Sequence, residues 1–246
     1  MKFKLFASLC ALTVAAISTP ASAAVIFTGS SGSLAASVKF DIVGGQLQVV
    51  LTNTSAGDIL VPTDLLTAVF FNIAGNPTLT RVSGISGGPT YSGATNVSSA
   101  GTVVGGEWAY LNALSQYGAN SGISSTGLGI FGPGNVFPGA NLSGPVDPDG
   151  FQYGLASAGD NQLTGNPAIL SNELTKNFDT FMLGGLPVGF LLSSITNVTF
   201  QYGTDLSEGH FSGNGGGPGT SIPEPGTLAL LGVGLVLFGV SRRRKA

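Results

Sequence analysis

Few residues in this chain are of the types that catalysis requires. His210 is the only histidine, and it lies in Glu208-Gly209-His210-Phe211, beside a glycine-rich stretch where we expect a solvent-exposed residue. The only cysteine, Cys10, lies close to the N-terminus. A serine–histidine–aspartate triad and a histidine-rich zinc site both need more of these side chains. We therefore expect a protein that is not an enzyme and that holds no cofactor.

The carboxylates offer one weak candidate for a metal site. Asp147 and Asp149 lie two residues apart in Asp-Pro-Asp-Gly, as in fragments of calcium loops, and Asp160 with Asn161 supplies further oxygen atoms. The segment lacks a later glutamate at the spacing that completes a calcium loop, and a proline between two acids is typical of a turn. We expect no metal, with Asp147 and Asp149 as the residues to test for calcium.

An acid next to aromatic rings suggests a second kind of binding. Glu107 and Trp108, with Tyr110 close by, are of the types that cradle a sugar, because an exposed ring stacks on the apolar face of the sugar. A single tryptophan is more often buried in the core, which is the interpretation that we favour. A glycosidase pair among the acids is a less favoured alternative, since the distance between two carboxylates in space decides that chemistry.

The N-terminal segment has the pattern of a secretory signal peptide. Lys2 and Lys4 precede an apolar stretch at 5–17, and Ala21-Ser22-Ala23 has the small residues that signal peptidase recognises. We expect signal peptidase to cut between Ala23 and Ala24. Because the cysteine is lost with this leader, the mature chain can form no disulfide and no thiolate site.

The C-terminal segment combines a rigid motif, an apolar run and a basic cluster. The motif is Pro223-Glu224-Pro225, the run is 14 uncharged residues at 227–240, and the cluster is Arg242, Arg243, Arg244 and Lys245. As a helix the run is about 21 Å long, or about 25 Å if the helix extends from Pro225 to Ser241, against about 30 Å of membrane hydrocarbon. We expect a short transmembrane helix, with the basic cluster held on the cytoplasmic side as a stop-transfer signal. Each proline biases the residue before it toward extended backbone, which a protease cleft can bind.

This order of motif, apolar run 227–240 and arginines at the extreme end, behind an N-terminal leader, resembles the PEP-CTERM proteins of Gram-negative bacteria. The resemblance covers about the last 25 residues. It implies that an exosortase recognises the tail and cuts near the motif, so that these residues are substrate and not catalyst. It also implies a transient membrane anchor, release to the cell surface or matrix, and an association with exopolysaccharide and biofilm.

Charge is distributed unevenly along the chain. Of nine basic residues, Lys39, Arg81 and Lys176 are the three between residues 24 and 222, whereas only Glu224 of the twelve acidic residues lies outside that span. The body therefore has three basic and eleven acidic residues, a net charge of −8. Such a surface repels phosphate backbones, so we expect no nucleic-acid partner.

The body has the patterns of β-structure. In residues 37–42 and 46–51 apolar and polar residues alternate, and Gly44-Gly45 between them suits a tight hairpin turn. Further strand candidates are 24–28, 66–73, 78–82, 102–111, 150–155, 180–183 and 195–202. Helical patterns are short and occur only at 111–117 and 171–177. Two copies of Phe-Gln-Tyr-Gly, at 151–154 and 200–203, suggest equivalent strands, although one tetrapeptide does not establish a repeat.

These patterns predict an all-β protein, an antiparallel β-sandwich of the jelly-roll kind with long glycine-rich loops, of which 118–150 is the longest. The predicted organisation is a signal peptide at 1–23, the body at 24–212, a flexible linker at 213–222 and a sorting signal at 223–246. The function that we favour is a non-enzymatic surface or matrix protein. The alternative is a carbohydrate-binding module that acts on the polysaccharide of the producing cell.

Overall fold

The computed structural model describes residues 23–142, 144, 148 and 153–218. Of the residues that the structure describes, 46% lie in strands and 11% in helices, so the prediction of an all-β fold is confirmed. The strands are β1 (Val25–Ser31), β2 (Leu34–Val43), β3 (Gln46–Asn53), β4 (Leu66–Ile73), β5 (Thr80–Ser86), β6 (Thr90–Ser92), β7 (Thr95–Ser98), β8 (Ala109–Asn112), β9 (Ser121–Ser124), β10 (Tyr153–Ala156), β11 (Glu173–Lys176), β12 (Phe178–Gly184), β13 (Ile195–Tyr202), β14 (His210–Ser212) and β15 (Asn214–Pro218). The α-helix α1 is Pro167–Ser171, and short 3-10 turns occur at Pro62–Asp64, Gly105–Glu107, Gln116–Gly118, Pro133–Asn135 and Leu192–Ser194.

The described strands form two sheets. In the first sheet the order is β15-β1-β2-β3-β12-β5, and every neighbouring pair is antiparallel. In the second sheet the order is β14-β13-β4-β10-β11-β6-β7, with β9 beside β4 and β8 beside β9. Consecutive strands β1, β2 and β3 are neighbours in one sheet. This part of the fold is therefore a meander, whereas the predicted jelly roll alternates between two sheets.

One strand pair departs from the antiparallel arrangement that we expected. Strands β10 and β11 run parallel, with Tyr153 opposite Glu173. A parallel pair needs a long crossover connection, and residues 157–172, which include α1, supply it. The Asn166 side chain accepts a hydrogen bond from Ile169 N at 3.1 Å and so caps the start of α1.

The predicted hairpin of β2 and β3 is confirmed. Val43 pairs with Gln46, so Gly44 and Gly45 form a two-residue turn with φ of 57° and 76°. Both angles lie in the left-handed region that favours glycine, which is why this turn needs these residues. Val38 and Phe40 of β2 and Leu47, Val49 and Leu51 of β3 are buried, whereas Ile42 is partly buried.

The two sheets pack face to face over one apolar core. The rings of Phe40 on β2 and Phe71 on β4 have centroids 5.0 Å apart, as have those of Trp108 and Phe181 on β12. Strand β4 is buried on both faces, because its Phe70 lies on the opposite side of the second sheet, against Phe131. This double burial explains its nearly continuous apolar sequence.

Several predicted elements differ from the structure. Residues 171–177, predicted as helical, contain β11, because pairing with β10 and β6 outweighs the weak helical preference of so short a segment. The strand predicted at 102–111 begins only at Ala109, because Gly105–Glu107 forms a 3-10 turn. Gly105 and Gly106 lie so close to the carbonyl groups of Pro138 and Ala140 that a side chain would clash there.

The predicted long loop and linker also contain strands. Within 118–150, strand β9 pairs with β4. Within the linker predicted at 213–222, strand β15 pairs with β1, Val25 lying opposite Pro218, because the glycines of β15 let the two backbones approach closely. The compact body therefore extends to residue 218. The two copies of Phe-Gln-Tyr-Gly contribute Tyr153 and Tyr202 to strands that flank β4.

No helix among the described residues is long and apolar enough to cross a membrane. The predicted transmembrane helix and most of the predicted signal peptide lie outside those residues.

Candidate functional site

The residues predicted to direct sorting lie outside the part of the chain that the structure describes. They are Pro223, Glu224, Pro225, Arg242, Arg243, Arg244 and Lys245. At the other end, Ala21 is also outside, whereas Ala23 and Ala24 directly precede β1 and are partly buried. The two ends of the described body are thus strands β1 and β15, which pair with each other, and β15 forms the edge of the sheet.

The weak calcium candidates Asp147 and Asp149 likewise lie outside the described residues. Asp160, which was expected to add oxygen ligands, is 3% exposed and already bonded. Its Oδ1 accepts from Ile59 N at 2.7 Å, and its Oδ2 accepts from the Tyr91 hydroxyl. In the described residues, no three His, Cys, Asp or Glu side chains lie together as a metal site requires. Asp160 therefore joins two loops and is not open to a cation.

The sugar cradle considered at Glu107, Trp108 and Tyr110 is not at the surface. All three residues are buried, with Trp108 fully so. The Glu107 Oε1 accepts a hydrogen bond from Leu142 N. The favoured interpretation, in which the tryptophan belongs to the core, is therefore the correct one.

Trp108 instead belongs to a buried polar network around Asp179. The indole Nε1 donates to Asp179 Oδ2 at 2.8 Å, and the Tyr153 hydroxyl lies 3.5 Å from the same oxygen. That hydroxyl also contacts Thr175 Oγ1, which is 2.9 Å from Thr90 Oγ1. Asp179 Oδ1 is buried and has no hydrogen-bond partner among the described residues.

Burial raises the pKa of Asp179 from its ordinary value of 3.8 to about 8, although the hydrogen bonds from Trp108 and Tyr153 act in the opposite direction. The neutral form of Asp179 therefore predominates at pH 7. It is fully buried and lines neither of the two surface clefts described below, so we assign it to the stability of the core.

His210 is exposed, as the sequence predicted, but it lies on β14 in the second sheet. Its ring stacks on that of Tyr117, with centroids 4.5 Å apart and an angle of 24° between the planes. The Tyr117 hydroxyl donates to Gln201 Oε1 at 2.7 Å. These contacts give His210 a packing role at the surface.

A first surface cleft, of about 280 Å³, lies beside the loop between β3 and β4. Its two acids are used by neighbouring backbone. Asp64 Oδ2 accepts from the N–H groups of Leu60 and Val61, and Asp58 Oδ1 accepts from Asn161 N at 3.0 Å. Both carboxylates therefore stabilise loops.

A second surface cleft, the Arg81 cleft, opens where β5 of the first sheet approaches β8 of the second. It has a volume of about 410 Å³. It is lined by Thr78, Leu79, Thr80, Arg81, Tyr110, Leu111, Asn112, Val136 and Pro138. Arg81 Nη1 donates to the Tyr110 carbonyl at 3.3 Å, which holds the guanidinium at the cleft.

The Arg81 cleft was not identified from the sequence. Its two main segments, 78–81 and 110–112, belong to different sheets and are far apart in the chain. The scarcity of basic residues in the body was the one signal that pointed to Arg81. What the cleft offers chemically is one cation, hydroxyl and amide groups, and apolar surface.

Residues 221–245 match the model of the PEP-CTERM protein-sorting motif. The sequence has no significant match among curated proteins or solved structures. The resemblance of the tail to PEP-CTERM proteins is therefore confirmed, and it supports a protein that is exported and sorted to the cell envelope by an exosortase.

Proposed function

We propose that this chain is a non-enzymatic protein of the cell surface or extracellular matrix, which an exosortase sorts by its tail and cuts near Pro223. The observation that carries the proposal is the match of residues 221–245 to the PEP-CTERM sorting motif. Signal peptidase removes the leader after Ala23. The protein is then held transiently in the membrane by its C-terminal apolar run, until the cut releases the body.

The chemistry of the tail supports this order of events. The run at 227–240 is marginal for spanning a membrane, so the anchor is weak. The basic residues 242–245 favour the cytoplasmic side, which leaves Pro223-Glu224-Pro225 on the side of the exported body. Each proline biases the residue before it toward extended backbone and lacks a backbone donor, as suits a peptide that an enzyme binds.

The body supports a role without catalysis. His210 packs on Tyr117, and the carboxylates of Asp160 and Asp179 are buried and hydrogen-bonded to structural partners. Turnover of the producing cell's polysaccharide by the mature protein, lost when a pair of acids is replaced, would contradict this part of the proposal. We further propose that the body associates with exopolysaccharide in the biofilm matrix.

A carbohydrate-binding module is the second candidate for the role of the body. The Arg81 cleft favours it, because the cleft combines hydrogen-bonding side chains with apolar surface at the open edge of the sandwich. Glycan-array binding by the mature protein is the measurement that separates a module of this kind from a purely structural matrix protein.

The test of sorting replaces Pro223, Glu224 and Pro225 together by alanine in the producing cells. We expect the parent protein to be recovered from the cell surface with a mass that lacks residues 242–246. We expect the triple variant to accumulate uncut in the membrane fraction, because the exosortase no longer binds its substrate. Intact-mass spectrometry of both fractions measures the outcome.

The control is Pro187→Ala, the same kind of change in an exposed loop of the body. It should be sorted and cut like the parent. Recovery of the triple variant at the surface with the parental mass, or a parent that retains residues 242–246 there, would contradict the proposal.

A further inference from the structure

We propose that the Arg81 cleft binds the carboxylate of a uronic acid residue in a polysaccharide. This inference rests on the proposed association of the body with exopolysaccharide and names the ligand class and the site. It is carried by the position of Arg81, by its surroundings and by the charge of the rest of the body.

Arg81 differs from the other cations of the body. Lys176 Nζ donates to the Asp160 carbonyl at 2.7 Å and lies 5.6 Å from the centre of the Tyr91 ring, so it serves the fold. Lys39 lies on the outer face of β2, two residues from Asp41. Arg81 alone of the three lines a described cleft, and no acid lines the cleft with it.

The guanidinium is prepared to bind a carboxylate. It has five N–H donors in a planar fork, of which one is used by the Tyr110 carbonyl. That bond fixes the position of the group, and Arg81 is partly buried, so its attraction for a carboxylate is screened less than at an open surface. An arginine in this setting can hold a carboxylate through two parallel hydrogen bonds.

The remaining lining suits a sugar ring. The hydroxyl groups of Thr78 and Thr80 and the amide of Asn112 can pair with sugar hydroxyls, and Thr78 and Thr80 are exposed. Leu111, Val136 and Pro138 supply apolar surface for the C–H face of the ring. The volume of about 410 Å³ lies in the range of sites for small ligands.

The negative charge of the body limits the charge density of a ligand that can bind. With a formal net charge of −8 between residues 24 and 222, of which the neutral Asp179 removes one unit, it repels a densely charged polyanion. Screening at physiological salt limits the repulsion from distant acids to a range of about 8 Å. A single carboxylate flanked by neutral sugars is therefore attracted by Arg81 and only weakly repelled by the rest of the body. The predicted ligand is therefore a polysaccharide in which uronate residues are separated by neutral ones.

The test measures, by calorimetry, the affinity of the full-length chain in detergent for two tetrasaccharide probes. The full-length chain is used so that the result does not depend on whether the tail is cut. The probes are a tetrasaccharide that carries one glucuronate and the same tetrasaccharide with its carboxylate reduced to an alcohol. We expect the carboxylate form to bind roughly tenfold or more tightly, as one charge-assisted hydrogen-bond pair predicts. Equal affinity, or no binding of either probe, would overturn the inference.

Variants locate the site on the protein. Arg81→Gln should lose roughly tenfold or more in affinity for the glucuronate probe and keep the weaker affinity of the reduced one. Arg81→Lys should fall between the two, because lysine keeps the charge without the fork. Lys39→Gln makes the same change of charge outside the cleft and should bind like the parent. Parental binding by Arg81→Gln would assign the ligand to another site.

Two further arms separate other sources of a carboxylate. Free glucuronic acid should compete only weakly, because it makes fewer contacts with Thr78, Thr80 and Asn112. A short peptide with a free C-terminal carboxylate should bind more weakly than the tetrasaccharide, and tighter binding of the peptide would replace the sugar by a protein partner. Failure of every arm leaves sorting by the tail untouched, since sorting is read from the mass of the surface protein.

Discussion

At the scale of single residues, Asp179 is the most perturbed acid whose pKa the structure resolves. Burial holds its carboxyl in the neutral form, with a pKa of about 8 against an ordinary value of 3.8. Between those two pH values the folded protein binds a proton that the unfolded chain has released. The free energy of unfolding therefore falls as pH rises through this interval, and the fall ends above pH 8.

We predict that Asp179→Asn flattens this dependence on pH, because asparagine can accept the Trp108 hydrogen bond and does not ionise. The parent should lose stability on the order of a few kcal/mol between pH 4 and pH 8. Burial also raises the pKa of Glu173. The variant should therefore keep a smaller decrease of stability with pH. Urea unfolding followed by Trp108 fluorescence measures both proteins, with the surface change Asp41→Asn as the control. Parallel curves for Asp179→Asn and the parent would refute the assignment.

At the scale of elements, the final strand closes an edge of the first sheet. Strand β15 pairs with β1 through backbone groups, and Gly215 has a φ of 140°. A side chain at Gly215 would place its Cβ atom 2.3 Å from the Ile26 carbonyl oxygen. The pairing therefore depends on glycine at this position, and without it the edge of β1 would be open to other chains.

We predict that Gly215→Val detaches β15 from β1. Hydrogen exchange of the β1 amide groups that pair with β15 should become faster, and the variant should associate more readily, because an unpaired edge is free. Gly134→Ala is the matched control, since nothing lies within 4 Å of its added Cβ atom and its φ is not in the left-handed region. Unchanged exchange in Gly215→Val would show that β15 contributes little to the edge.

Some strands could be predicted from the sequence and others could not. The sequence predicts β2 and β3 because apolar and polar residues alternate over six residues in each, and β13 because Val198, Phe200 and Tyr202 share one face of an eight-residue segment. Strand β9 was missed because Ser121–Ser124 is short and mostly small residues. It pairs with β4 because Gly122 lets the Phe70 ring lie against it, a reason that depends on a distant part of the chain.

The candidate sites likewise differ in whether their signal is local in the sequence or depends on distant segments. The tail could be identified from the sequence because its signal is local: motif, apolar run and basic cluster are contiguous. The Arg81 cleft could not, because two sheets must meet to form it. Asp179 had a usable signal, since it shares one face of β12 with Phe181 and Leu183, and a carboxylate in that alternation is expected to be buried.

At the scale of the whole molecule, the two ends of the chain carry charge of the opposite sign to that of the body. The body is acidic, whereas six of the nine basic residues lie in the first four and last five residues of the chain. In the topology that we propose, the basic cluster at 242–245 orients the precursor in the membrane without altering the surface of the body.

We predict that replacing Arg242, Arg243, Arg244 and Lys245 by glutamine reduces correct processing, because the apolar run loses the charges that hold one end in the cytoplasm. Intact mass should show uncut chains that keep all residues to Ala246, in the membrane or in the medium. Lys39→Gln, a change of charge within the body, should be processed normally. Parental mass and location for the fourfold variant would argue against a stop-transfer role.

The pairing of β1 with β15 has a consequence for the timing of export. A chain that crosses a membrane from its N-terminus delivers β1 first and β15 last, with nearly two hundred residues between Val25 and its partner Pro218. The outer hydrogen bonds of β1 stay vacant until almost the entire body has emerged. Under the processing near Pro223 that we propose, the folded body is completed and the cut site arrives at nearly the same time, so β15 docks as the chain becomes a substrate.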